Sequence, residues 1–365
     1  SLRASGIDCV RLNGRALLEG PALESTATGL FNVRAYRAMR EWIRHNDTPA
    51  TIYHLHGWQQ ILSPSIFLAL KPVMRRTLMH AHDYFLVCPN GGQMNYVTNE
   101  PCPLRPMTAR CIVTDCDKRN RSHKAWRVLR QGIRNSLNDL SAPGSRVALV
   151  QQGMSSVFAR AGVPAANMAN IPNPCLPFSE TRIAAEKNSE FHFVGRLVAE
   201  KGVESFLLAA RSAGVRARII GDGPLRESLA GRFPEFVFEG WCDRTRLADL
   251  SQSARMLVMP SLYPEPFGLV VPEAIASGLP VLISDSALLA GEVVERRVGL
   301  AVDPVDRAAF AAVLRKCASD GDMIAGMSRR GFDEDNAMAL RPQQWVDELF
   351  RVYAALLEAT GAPAR

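Results

Sequence analysis

Short apolar runs alternate along the chain with longer stretches of helical spacing. In the second half, "FHFVGRL" (191–197), "ARII" (217–220), "FVFEG" (236–240), "RMLVMP" (255–260) and "PVLIS" (280–284) read as strands. Between the first two, Val203, Phe206, Leu207 and Ala210 recur at the period of a helix face. Alternating strands and helices predict βαβ units, a parallel sheet and helices on both of its faces. The first half repeats the pattern with strands at "CVRL" (9–12), "TIYHLH" (51–56), "TLMHAH" (77–82) and "RVALVQ" (146–151), and helices near 31–45, 123–138 and 153–161. Residues 84–122, rich in Pro, Cys and Asn, show no period and predict a long functional or unstructured insert.

The proline-rich then polar segment "IPNPCLPFSETRIAAEKNSE" (171–190) reads as a linker. The expected organisation is an α/β domain over 1–172, a second over 173–342 and a terminal helix within 343–365. That helix carries Trp345, Leu349, Val352 and Leu356 on one face and is expected to cross back to the first domain.

A length of 365 residues, 47% of them hydrophobic, suits two cores rather than one. No apolar run approaches the ~20 residues of a membrane-spanning helix. Eight cysteines spread over the chain do not resemble a secreted disulfide scaffold, so a reducing cytoplasm is expected. The net charge of +7 is uneven: residues 1–150 hold 20 Lys+Arg against 10 Asp+Glu, or +10, which leaves −3 for the rest. A basic half fits a phosphate ligand, a nucleic acid or a membrane surface, or simple solubility. No nucleic-acid-binding module accompanies it, so no nucleic-acid partner is expected.

Ligands of an open parallel sheet bind at the carboxyl ends of its strands. Arg196 closes one strand, with Lys201 in the loop beyond it. Gly221-Asp222-Gly223-Pro224 follows the next strand, and Glu265 follows the fourth. "EPFGLVVPE" (265–273) then places a turn at Pro266 and Gly268 and a helix from Leu269 or Val270. Pro272 falls in the first turn, where its missing N–H costs little, and Gly278 suits the end. Exposed N–H groups at Gly268 and Leu269 form an anion site, flanked by Glu265 and Glu273. An anion between two hydroxyl-binding carboxylates describes a sugar nucleotide, with Arg196 and Lys201 neutralising the phosphates in place of a metal. The structural alternative is a helix-start charge for Glu273 and a surface ion pair for Glu265.

"FVGRLVAEKGVESFLLAA", "GDGP" and "EPFGLVVPEAIASGLPVLISD" together resemble the donor domain of glycosyltransferase family 4. The resemblance is strong over 190–290. It implies the GT-B fold: α/β, two Rossmann-like domains with parallel sheets facing across a cleft. It implies retaining transfer of a hexose from a nucleotide sugar to a saccharide acceptor, free or lipid-linked, in bacterial polysaccharide biosynthesis, with no cofactor. Glu265 would bind hydroxyls of the transferred sugar, Glu273 the ribose, and Arg196 and Lys201 the diphosphate, with His82 beside the donor sugar. Gly195, Gly221, Asp222, Gly223, Pro266, Phe267, Gly268 and Leu269 would line the same nucleotide-sugar site. The opening "SLRASGIDCVRL" looks like the end of the helix that follows the family's first Gly-rich loop, so the first βα unit is expected to be missing. The Cys-rich stretch resembles the insert of members that assemble surface polysaccharides. Rival readings are a sugar-nucleotide epimerase or hydrolase of the same architecture, and a non-catalytic binding protein.

His54 and His56 share a strand face, as do His80 and His82, and two H-x-H pairs could hold a metal; no carboxylate or further His is evident to complete such a site. Cys88, Cys102, Cys111 and Cys116 lie within 29 residues and allow a structural zinc, a disulfide or free thiols. Asp115-Cys116-Asp117 is read as a chance D-x-D. Seven basic residues fall within 118–134. Of these, Arg127, Arg130 and Arg134 share a helix face beside Trp126. That face is expected to dock on an anionic membrane surface at the inner leaflet.

Overall fold

The computed structural model describes residues 16–333 and 338–361; the expected strand at 9–12 lies outside them. The first sheet is parallel throughout, in the order β1 (Tyr53–His56), β2 (Thr77–Ala81), β3 (Arg146–Leu149) and β4 (Met168–Asn170). The second sheet holds β5 (Glu190–Val194), β6 (Arg216–Ile220), β7 (Val237–Gly240), β8 (Ala254–Met259), β9 (Val281–Ser284) and β10 (Gly299–Val302). Its order is β10-β9-β8-β5-β6-β7, again all parallel. β4 and β10 were not anticipated, because three or four residues in weakly apolar sequence carry little period.

The strand order reverses between β5 and β8. The chain runs outward from β5 to β7, returns beside β5 as β8, and runs outward the other way. At such a switch point a crevice opens outside the carboxyl ends of the central strands. β8, buried at every residue, lies at the centre of the second core with Phe191, Phe193, Phe206 and Phe310 around it.

The first core gathers Phe67, Trp58, Met79, Tyr84 and Phe158. One member comes from the far half of the chain: Phe267 is buried in this core. The helix Pro342–Glu358 lays Leu349 and Leu356 on Leu78 and Ala148 of the first sheet and on Ile171 just beyond β4, with Trp345, Val352 and Tyr353 beside them. No helix of the described residues is long and apolar enough to cross a membrane.

The basic helix corrects an expectation. Residues Arg121–Leu137 are helical, but Lys124, Arg130, Gln131 and Arg134 are its buried positions. Arg130 stacks on Trp58 and Trp126, with its carbon 4.9 and 5.3 Å from the ring centres, and Arg134 stacks on Phe67. Arg127 pairs with the buried Asp117 at 2.8 Å. The i, i+3, i+7 face is therefore a packing face, and it offers no membrane surface. Guanidinium planes match aromatic faces, a use that charge spacing alone does not distinguish from lipid docking. Burial pushes Arg134 down to about 9 and Arg130 to about 10, so both stay charged near neutral pH.

Candidate active site

The crevice at the switch point is built by glycines. Gly202 ends the 3₁₀ turn Ala199–Lys201 at φ 66°, and a Cβ there would lie 1.8 Å from the Pro260 carbonyl oxygen. Gly221, at φ 141°, would place a Cβ 1.9 Å from the carbonyl oxygen of Gly195. Backbone thus packs directly on backbone, which brings the loops after β5, β6 and β8 together.

Within that frame Lys201 forms an ion pair with Glu265. The other carboxylate oxygen of Glu265 accepts the Ser261 hydroxyl at 2.5 Å, and Lys201 Nζ donates to the Tyr263 hydroxyl at 3.3 Å. Glu265 is buried. Its backbone carbonyl accepts the amide of Leu288 at 3.1 Å. Pro266 and Phe267 are buried, while Leu269 is exposed. Gly268 takes φ 63°, as the turn requires. The helix that follows is Val270–Ala276, with Pro272 in its first turn and Gly278 left-handed at φ 75° just beyond its end.

Glu273 is not beside Glu265's partners. It faces Arg244, 3.3 Å away, which begins the helix Arg244–Ser251 and also donates to the carbonyls of Leu176 and Pro177. Burial raises the Glu273 carboxyl above its usual range, against the pull of Arg244. Arg196 is exposed. Its charge helps lower Glu200: burial raises that carboxyl, but backbone and Lys118 hydrogen bonds with the Lys118 and Arg196 charges outweigh it. The Asp222 side chain accepts the Gly223 amide at 2.7 Å and shapes the turn after β6. Of the expected residues, then, Lys201 and Glu265 meet directly, and Arg196, Gly195 and Gly221–Gly223 stand around the same strand ends. His82 sits beyond β2 and bonds His56, Nε2 to Nδ1, at 2.8 Å; it makes no hydrogen bond to Glu265, Lys201 or Arg196.

Arg244, Ser261, Tyr263 and Asp83 were not anticipated. Ser261 and Tyr263 precede Glu265 in one loop and were open to the same strand-end logic. Arg244 gave no local signal, since its partner is 29 positions away. Asp83 accepts from Gln59 at 2.8 Å, and burial pushes its carboxyl up to about 6.

The insert folds as a two-strand ribbon, Met94–Asn95 on Glu100–Pro101, and a short helix Ala109–Val113. Cys88, Cys102, Cys111 and Cys116 are free thiols. Lys124 Nζ and Asn90 Nδ2 reach the Cys116 sulfur at 3.1 and 3.3 Å. Asp115 and Asp117 are engaged by Arg121 and Arg127.

Solved structures share this architecture. Sucrose-phosphate synthase of Thermosynechococcus elongatus superposes with a TM-score of 0.64 at 19% identity, covering 89% of this chain and 77% of that one. The Anabaena protein HepE, solved with UDP, gives 0.62 at 15% identity, covering 92% and 84%. A glycosyltransferase of Rickettsia africae gives 0.64 at 13%, covering 98% and 87%. The fold is GT-B, two Rossmann-like domains.

Residues 179–333 match the family described as Glycosyl transferases group 1. Over 143 residues the chain is 34% identical to glycogen synthase of Mycobacterium tuberculosis, covering 36% of this chain and 34% of that protein. Over 166 residues it is 34% identical to a GDP-mannose-dependent alpha-mannosyltransferase of Mycolicibacterium smegmatis, covering 45% and 43%. The chain thus spans less than half the length of either relative.

Proposed function

We propose that this protein is a retaining glycosyltransferase that moves a hexose from a nucleotide sugar to a saccharide acceptor. The observation that carries the reading is the Lys201–Glu265 pair at the switch point of a domain that matches glycosyl transferases group 1. UDP and UDP-glucose are bound by the structural neighbour HepE, and GDP-mannose names the donor of a relative, so these are the first donors to test.

In this reading the diphosphate takes over Lys201 and gains Arg196, whose exposed guanidinium is free to turn toward it. Two fixed cations then stabilise the charge that develops on the departing phosphate. Glu265, released from Lys201 but still held by Ser261, accepts hydroxyls of the transferred sugar. Glu273, with Arg244 bracing it, takes the ribose hydroxyls. The acceptor hydroxyl attacks on the face from which the nucleotide leaves. The leaving phosphate oxygen takes its proton, so no enzyme nucleophile is required. His82, on the opposite domain, would contact the donor sugar. A lipid-linked acceptor and a role in bacterial surface polysaccharide belong to the same proposal.

The test is release of free nucleoside diphosphate from UDP-glucose or GDP-mannose, with and without saccharide acceptors. Release that depends on acceptor, with sugar recovered in α linkage to it, is expected. Equal release without acceptor would make the protein a hydrolase. Interconversion of the donor sugar would make it an epimerase.

A further inference from the structure

The register of β1 and β2 does what neither H-x-H motif does alone. His56 is directly opposite His80, so the parallel pairing puts His54, His56 and His80 on one sheet face. One ring nitrogen from each lies within 4.8 Å of the other two. Among the described residues, this is the one set of three or more His, Cys, Asp or Glu ligand atoms so close together. His54 Nε2 and His80 Nδ1 are 3.1 Å apart. Nitrogens on a tetrahedral zinc, each ~2.1 Å from the ion, stand ~3.4 Å apart.

Two of the three rings are also held from outside. The Tyr353 hydroxyl sits 2.6 Å from His54 Nδ1, on the far side of that ring from His80. His82 Nε2 holds His56 Nδ1 at 2.8 Å and leaves Nε2 of His56 for a ligand. Outer partners that fix the second nitrogen of each ring are the usual supports of metal-bound imidazoles. His80 is buried, and its Nε2 completes no hydrogen bond, although the backbone of Ile171 approaches the ring. The indole nitrogen of Trp345, whose ring lies 6.4 Å from His80, is likewise buried without a partner.

We propose that His54, His56 and His80 bind one divalent transition-metal ion, with zinc best suited to three neutral imidazoles and a fourth position left to water. The ion joins β1 to β2. Through Tyr353 it fixes the terminal helix, and through His56 it sets the ring that holds His82. The evidence for the ion does not rest on the sugar-transfer reading, although His82 links the two sites, and its test needs no turnover.

The full chain, stripped with chelator and dialysed, is titrated with Zn²⁺ by calorimetry and with Co²⁺ by visible absorption. One ion per chain is expected, with a d–d band of nitrogen-rich four-coordinate cobalt and a rise in Tm on zinc addition. His56→Ala, at an exposed position, and His54→Gln should each weaken Zn²⁺ binding by about tenfold or more. Replacing all four insert cysteines by Ser should leave it unchanged. Absence of stoichiometric binding, binding unaffected in both His variants, or binding lost only in the cysteine variant would overturn the proposal. The rings would then be an imidazole hydrogen-bond network only.

Discussion

At the scale of single residues, Glu265 is the test of the donor site. Glu265→Gln keeps the shape but removes the charge that Lys201 and a sugar hydroxyl share. A charge-assisted hydrogen bond is worth ~1.5–3 kcal/mol, so turnover with the best donor should fall at least about tenfold. Wild-type turnover in the purified variant would remove Glu265 from the site. Lys201→Ala should lose turnover that added Mg²⁺ or Mn²⁺ does not restore, since the lysine itself is proposed to neutralise the diphosphate. Arg244→Ala should raise KM for the donor more than it lowers kcat, because the one side chain Arg244 pairs with is the carboxylate assigned to ribose; its other partners are the carbonyls of Leu176 and Pro177.

Residue chemistry also sets the response to acid. His192 is buried beside Glu190, and burial lowers its pKa to about 4, so the unfolded chain binds its proton more readily below pH 6.5. Arg218 holds Glu190, and Arg182 holds Glu186, at about 2. Their contribution is present above pH 4.5 and is lost as pH falls toward 2. All three shifts have one sign, and burial lowers His54, His56 and His80 in the same direction, while Asp83, raised to about 6, opposes them. Stability should decline on acidification, first between pH 6.5 and 4 through the histidines, His192 among them, then further through the two glutamates. Urea midpoints at pH 7, 5 and 4 check this. His192→Gln should flatten the upper part of that slope, and an unchanged slope would assign it elsewhere.

At the scale of elements, the helix Arg121–Leu137 shows a charge pattern used for packing. Arg134 carries buried Nε and Nη2 atoms without hydrogen bonds and lies on Phe67. Replacing a buried charge by an apolar side chain of similar length is often neutral, whereas reversing it is not. Arg134→Met should therefore leave the thermal midpoint near wild type, and Arg134→Glu should yield little folded protein. A folded Arg134→Glu variant that merely lost affinity for anionic vesicles would restore the membrane-docking idea. The strand-end loops make a second element-scale prediction. Gly202→Ala meets the Pro260 carbonyl and costs ~1–2 kcal/mol for the left-handed backbone alone, so the loop must shift and take Lys201 with it. Donor binding should weaken more than global stability, as read by calorimetry against urea melts.

At the scale of the whole molecule, the "EPFG" turn belongs to two bodies. Its backbone follows β8, yet Phe267 is buried in the core of the other domain. Gln151 reaches the carbonyl of Leu288 at 3.3 Å, and Lys118 pairs with Glu200 at 3.1 Å across the same divide. Phe267→Ala removes an aromatic side chain from a core, a loss of ~3–5 kcal/mol. It should lower the melting temperature and loosen the domains together, visible as faster proteolysis near 171–190. If only the second domain lost stability, Phe267 would not be the coupling residue.

Strand and helix identities were legible because they rest on local patterns: short buried runs in "TLMHAH" and "RMLVMP", a 3.6-residue stripe from Trp345 to Leu356. The nearness of Lys201 and Glu265, proposed as donor-side residues, was legible for a related reason. A parallel sheet puts its ligands at strand ends, and Arg196, Lys201 and Glu265 each follow a strand that the apolar pattern marks. What lay beyond the sequence were relations between distant segments. Arg244 against Glu273, Phe267 in the opposite core, the inward turn of Arg130 and Arg134, and the meeting of two H-x-H motifs all depend on register and packing. Each is settled by which surfaces exclude water from one another, and no window of neighbouring residues contains that.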